Sequence, residues 1–104
     1  FLDCRYQKFN FLLIFLFSCT IYSQTEKEYY ISGLQKHQNG YYYDAIVDYT
    51  KSIEVNPNFV YAYFNRGLAK EIVNDLKGAC EDYKIAAKMG HKGAQEIVYD
   101  DHCD

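Results

Sequence analysis

The sequence predicts an all-α chain of two helical hairpins and a shorter closing helix, and three observations carry that prediction. Its 104 residues hold one proline and six glycines, with 49% hydrophobic and 24% charged residues, which suits long uninterrupted elements better than a turn-rich β-sandwich. The chain also repeats itself at a spacing of 34, a period diagnostic of stacked units: Tyr29 aligns with Tyr63, Gly33 with Gly67, Leu34 with Leu68, Lys36 with Lys70, Ala45 with Ala79, Asp48 with Asp82 and Tyr49 with Tyr83. Within each unit, small and apolar residues recur every three or four positions on both sides of a break. Length and composition allow one ordinary domain and exclude wholesale disorder.

Taken in order, residues 1–23 read as an address. Arg5 and Lys8 precede the apolar run Phe11 to Phe17, and smaller and polar residues follow from Ser18 to Gln24. A basic start, an apolar middle and a polar end resemble a bacterial secretory signal peptide, with cleavage expected after Ser23. The apolar stretch is shorter than the roughly 20 residues that span a bilayer. Leu16-Phe17-Ser18-Cys19 also looks like a lipobox in which Cys19 takes the lipid. Phe17 is bulkier than that motif usually allows, so plain secretion into the periplasm or medium is the first reading and lipidation the second. The chain begins with Phe1, so the true start can lie upstream.

The first unit covers 26–59. Tyr29, Gly33, Lys36 and Gly40 lead through Tyr41 and Tyr42 into Ala45, Ile46, Tyr49, Ser52 and Ile53, a helix, a glycine turn and a second helix. Asn56-Pro57 closes that helix and is expected to begin the next, because proline disfavours helical geometry just before itself and is tolerated in a first turn. The second unit covers 60–92, with Asn74-Asp75 as its internal turn and Gly90 ending its second helix. Residues 93–104 hold a cap, in which Ala94, Ile97 and Val98 share one stripe.

These residues resemble the tetratricopeptide (TPR) repeat: an aromatic residue four before Gly33 or Gly67, Ala45 or Ala79 twelve beyond each glycine, then Tyr49 or Tyr83, then Pro57. The resemblance implies a right-handed solenoid in which glycine and alanine let paired helices approach closely while the tyrosine fills the space beside them. Ser32 and Arg66 stand where the family usually has leucine, and Lys36 and Lys70 where it often has an aromatic residue; these departures are expected to weaken individual contacts. Two repeats are fewer than solenoids normally need, which puts weight on the cap and on any covalent staple.

Once residues 1–23 are removed, Cys80 and Cys103 remain. Each lies ten to twelve residues or so from the Gly90 turn, and in an antiparallel pair of helices equal offsets bring them level. A disulfide is the first reading, with Cys80 as core filling and Cys103 in a frayed end as the alternative. His37, His91 and His102 are scattered, and no zinc, phosphate-loop or nucleophile motif occurs. The terminal group Asp100, Asp101, His102, Cys103 and Asp104 reads as a solvated end in preference to a metal site. No catalytic residue, metal or cofactor is called for.

Net charge is −3, and leaving out Asp3, Arg5 and Lys8 makes residues 24–104 more acidic still, at −4. Nucleic acid is therefore not an expected partner, and a membrane is expected to enter only through the signal peptide or a lipid on Cys19. The TPR resemblance implies protein or peptide binding along the first helix of each hairpin. By matching position that face includes Lys27, Tyr30, Leu34, His37 and Gln38, then Tyr61, Phe64, Leu68, Glu71 and Ile72. Of the lysine, asparagine and arginine with which some TPR domains clamp an acidic C-terminus, only Asn65 is present. Burial of Tyr30, Leu34, Phe64 and Leu68 between helices is an equal reading of the same residues. The expected function is a non-catalytic interaction or assembly module of the bacterial envelope; the alternative is a lipid-anchored structural lipoprotein without a peptide groove.

Overall fold

The computed structural model describes residues 24–100 and Cys103. The proposed signal peptide, with Cys4 and Cys19, lies outside them. Within the described residues five helices follow in order: α1 Glu26–Gln38, α2 Tyr42–Val55, α3 Val60–Ile72, α4 Leu76–Lys88 and α5 Lys92–Tyr99. Each packs chiefly on the next, as in a helical repeat, and no strand occurs among the described residues.

Local chemistry fixes where the helices start. Thr25 and Glu28 cap α1 reciprocally: the Glu28 amide donates to Thr25 Oγ1 at 3.2 Å, and the Thr25 amide donates to Glu28 Oε1 at 2.8 Å. This pairing satisfies two amides that the first helical turn leaves unpaired. The Asp75 side chain accepts from the Gly78 amide at 3.0 Å to begin α4, and His91 Nδ1 accepts from the Ala94 amide at 3.2 Å to begin α5.

Three turns share one construction. Gly40, Asn74 and Gly90 have φ of 84°, 69° and 95°, the left-handed geometry that glycine and asparagine adopt most readily. After each, the next amide reaches back to close the preceding helix: Tyr41 to the Lys36 carbonyl, Asp75 to Lys70 and His91 to Ala86, at 2.8–3.0 Å. The α2–α3 connection is built differently. Proline was expected to begin α3, but that helix starts three residues later, at Val60. Asn56 Oδ1 instead accepts from the Asn58 amide at 3.0 Å, and Tyr63 Oη donates to the Pro57 carbonyl at 2.9 Å. Pro57 thus belongs to a linker held by side chains.

Close approach within each hairpin depends on glycine. A Cβ on Gly33 would lie 2.6 Å from the Tyr49 ring, and one on Gly67 would lie 2.6 Å from the Tyr83 ring. Both rings are fully buried, as are Ala45 and Ala79 at the same interfaces. Ala69 of α3 packs with Ala45 and Tyr49, joining the hairpins. Tyr63, Ala86 and Ala94 form a second core that seats α5. Where α3 buries Ala62 and Ala69, α1 carries exposed Glu28 and Gln35 at the repeat-equivalent positions, giving its outer face a polar character.

Candidate functional site: the first-helix face and its buried carboxylates

The four residues at which the sequence departs from the usual TPR pattern, Ser32, Lys36, Arg66 and Lys70, make polar contacts with buried carboxylates. Ser32 Oγ donates to Asp48 Oδ2 at 2.5 Å, and Lys36 Nζ donates to the same oxygen at 2.8 Å. One repeat later, Arg66 Nε and the Arg66 amino group hold both oxygens of Asp82 at 2.8 and 2.6 Å, with Lys70 Nζ 3.0 Å away. Each first helix thus projects two side chains four residues apart onto one buried carboxylate of its second helix. For Asp48, burial pushes the carboxyl up, but the hydrogen bonds from Lys36 and Ser32 outweigh it and hold it below the usual carboxylate range. Arg66 also donates to Thr50 Oγ1 at 3.1 Å, so one guanidinium ties α2, α3 and α4 together. The signal was present in the sequence: lysine and aspartate both repeat at 34, and each pair is twelve residues apart.

Along the first helices runs a chain of aromatic contacts. Tyr30 stacks edge-on to Phe59 with ring centres 5.2 Å apart, Phe59 meets Tyr61 at 6.0 Å, Tyr61 meets His91 at 6.0 Å, and His91 lies flat on Phe64 at 4.1 Å. Tyr61 is the open member, 53% exposed. Asn65 Nδ2 donates to Tyr30 Oη at 3.0 Å and to the Tyr61 carbonyl at 2.9 Å, bridging the two hairpins.

Of the residues placed on this face from the sequence, Tyr30, Tyr61, Phe64 and Asn65 are brought together. Leu34 packs half-buried against the Ala45–Tyr49 core, and Leu68 is also half-buried. Glu71 Oε2 lies 3.5 Å from Tyr83 Oη, at the far end of α3. Burial, then the Glu71 charge, pushes the Tyr83 phenol well above its ordinary value. His37 occupies the repeat position of Glu71 and sits beside Tyr49, ring centres 6.4 Å apart. Its Nδ1 and the Tyr49 Oη are buried without hydrogen-bond partners, and burial lowers the imidazole's affinity for a proton. Lys27, Gln38 and Ile72 are exposed. His91 and Phe59, which sequence reasoning did not place on this face, complete it. Both are helix N-caps, and a periodicity search along helices passes over such positions.

Cys80 of α4 and Cys103 are joined by a disulfide, with Cα atoms 5.3 Å apart, inside the span such bonds require. Asp101, His102 and Asp104 of the terminal acidic group lie outside the described residues. No set of three or more His, Cys, Asp or Glu among the described residues is disposed to hold a metal, and no described helix is long and apolar enough to cross a membrane.

The fold is an all-helical, TPR-like repeat. The TPR repeat family model matches residues 33–71, a stretch from the middle of α1 to the end of α3. Similarity extends to serine/threonine-protein phosphatase T of Aspergillus oryzae, 41% identical over 44 residues, which is 42% of this chain and 9% of that protein. The chain therefore spans a small fraction of that relative's length, and the phosphatase activity in its name is that protein's. No solved structure gives a significant match. TPR repeats mediate protein–protein contacts, and proteins built from them are generally non-catalytic scaffolds.

Proposed function

We propose that this chain is an exported, non-catalytic module that binds a protein or peptide along the first-helix face, at the aromatic row Tyr30, Phe59, Tyr61, His91 and Phe64. The observation that carries the reading is Tyr61: a half-exposed ring flanked on both sides by aromatic neighbours offers a rigid apolar platform with a polar tip, the kind of anchor that dominates interfaces. Leu34, His37, Asn65, Leu68 and Glu71 would frame it. The test is capture of a partner from an envelope extract by the wild-type chain and by Tyr61→Ala. Loss of the same partner with the variant is expected, and its undiminished retention would count against this face.

Export draws support from two sides: the basic, apolar, polar order of residues 1–23 and the disulfide, since such bonds persist in oxidising compartments. Sequencing of the native N-terminus is expected to begin at Gln24. A terminus at a lipid-modified Cys19, visible as added mass in the membrane fraction, would favour the envelope lipoprotein instead. A cytoplasmic product retaining Phe11 to Phe17 would end both.

A further inference from the structure

His91 combines two roles that the starts of α1 and α3 keep apart. At the start of α1 the Thr25 hydroxyl caps the helix, and at the start of α3 Phe59 packs edge-on with Tyr30 while its side chain caps nothing. At the start of α5 one imidazole does both. Its Nδ1 accepts from the Ala94 amide at 3.2 Å, its face lies on Phe64 with ring centres 4.1 Å apart, and Tyr61 stands nearly perpendicular to it at 6.0 Å.

The surroundings hold the ring in that pose. A Cβ on Gly93 would lie 3.3 Å from His91 Cε1 and 3.4 Å from Phe64 Cζ, so the missing side chain leaves the room in which imidazole and phenyl lie together. The His91 amide donates to the Ala86 carbonyl at 3.0 Å and ties the same residue to α4. Ala94 is fully buried, so water is poorly placed to replace Nδ1 as the acceptor for its amide. That acceptor exists only in the neutral ring, with its proton on Nε2.

We infer that His91 is a pH-sensitive latch on α5: the neutral imidazole holds the start of the helix, and protonation at Nδ1 releases it. A proton taken up from solvent turns the acceptor into a donor aimed at the Ala94 N–H. It strands that buried amide and sets a positive charge at a helix N-terminus, where the dipole disfavours it. The neighbours do not offset this. Helix α3 faces the ring with Phe64 and the Tyr61 phenol, α4 ends in Lys88, and α5 begins with Lys92 and carries Glu96 one turn on. No carboxylate among the described residues forms an ion pair with the imidazole. The Phe64 face attracts a cation, but a half-exposed contact of that kind is worth less than a stranded buried amide. The imidazolium therefore keeps the phenyl and gives up the amide, and acid loosens α5 ahead of the hairpins. The latch stands on these contacts alone and does not depend on whether the aromatic row binds a partner.

The test is hydrogen exchange of the oxidised full chain, read over α5 at about pH 7.5 and about pH 5, an interval in which histidine changes charge, after correction for the intrinsic pH dependence of exchange. Protection of α5 is expected to fall roughly fivefold on acidification, the fold-change that loss of an N-cap brings. The fall should remain in His37→Leu, which removes the other described histidine with a pH signature. His91→Asn caps without titrating, so it should make α5 protection the same at both pH values. His91→Phe reproduces the arrangement at Phe59 and should leave α5 at the low level throughout. In the wild-type chain the Ala94 amide resonance should shift with the same midpoint as the His91 ring. Equal wild-type protection at the two pH values overturns the inference. So does a fall that persists in His91→Asn, or an Ala94 amide that ignores the titration of the ring.

Discussion

At the scale of the residue, polar groups and glycines decide this interior as much as alkyl packing does. Asp82 is 2% exposed in its side chain and faces two cations that are themselves largely covered. Asp82→Ala leaves both cations without their carboxylate and should cost about 3 kcal/mol, as stranded buried charges do, measured by urea unfolding. Asp48→Ala should cost less, because Lys36 keeps 41% of its side chain in water and can rehydrate. Gly33→Ala presses a methyl group into the Tyr49 ring and should cost about 1–3 kcal/mol. His37 adds a pH signature. Its folded imidazole binds a proton less readily than the unfolded one, so stability is full above the ordinary histidine value near 6.5 and falls as pH drops through the lowered one. Replacing it in His37→Leu should flatten melting temperature against pH between about 7.5 and 5, and an unchanged slope would assign that dependence to other groups. The identities of Lys36 with Lys70 and of Asp48 with Asp82 were legible as a repeat. Their meaning was not, because a 34-residue match reports position and says nothing of which side chains meet across a helix pair.

At the scale of the element, helix order and turns were close to fully readable, since the period and the glycine breaks are local signals. Pro57 was misplaced because a proline rule sees only backbone preference, whereas here Asn56 and Tyr63 hold the linker in a form that delays α3. That His91 caps α5 through its side chain and also stacks on Phe64 is not visible in periodicity and required the third dimension. Helix α5 has eight residues, too few to persist alone, and depends on Ala94 in the second core and on the Cys80–Cys103 bond. The two cysteines are 23 residues apart, and closing a loop of that size restrains the unfolded chain by about 3 kcal/mol. Reduction, or a double serine variant, should therefore lower the melting temperature by roughly 12–24 °C. Recovery of both cysteines as free thiols from natively exported protein would leave α5 held by its apolar contacts alone.

At the scale of the whole molecule, the stack behaves as a short one-dimensional array in which each helix draws support from its neighbours. Helix α3 is tied on both sides through one guanidinium: Arg66 binds Thr50 of α2 and Asp82 of α4, while Ala69 packs into the Ala45–Tyr49 core. A lesion at this junction and a lesion at the end should then unfold different lengths of chain. In Asp82→Ala, hydrogen exchange should accelerate together in α2, α3 and α4, because the same guanidinium loses its anchor for all three. In the reduced protein, exchange should rise first in α5, with α1 and α2 keeping their protection until global unfolding. The comparison is read peptide by peptide in one mass-spectrometric exchange series. Identical protection patterns for the two lesions would mean that the hairpins fold as one indivisible unit, so that the Arg66 bridge is no more a joint than any other contact in the stack.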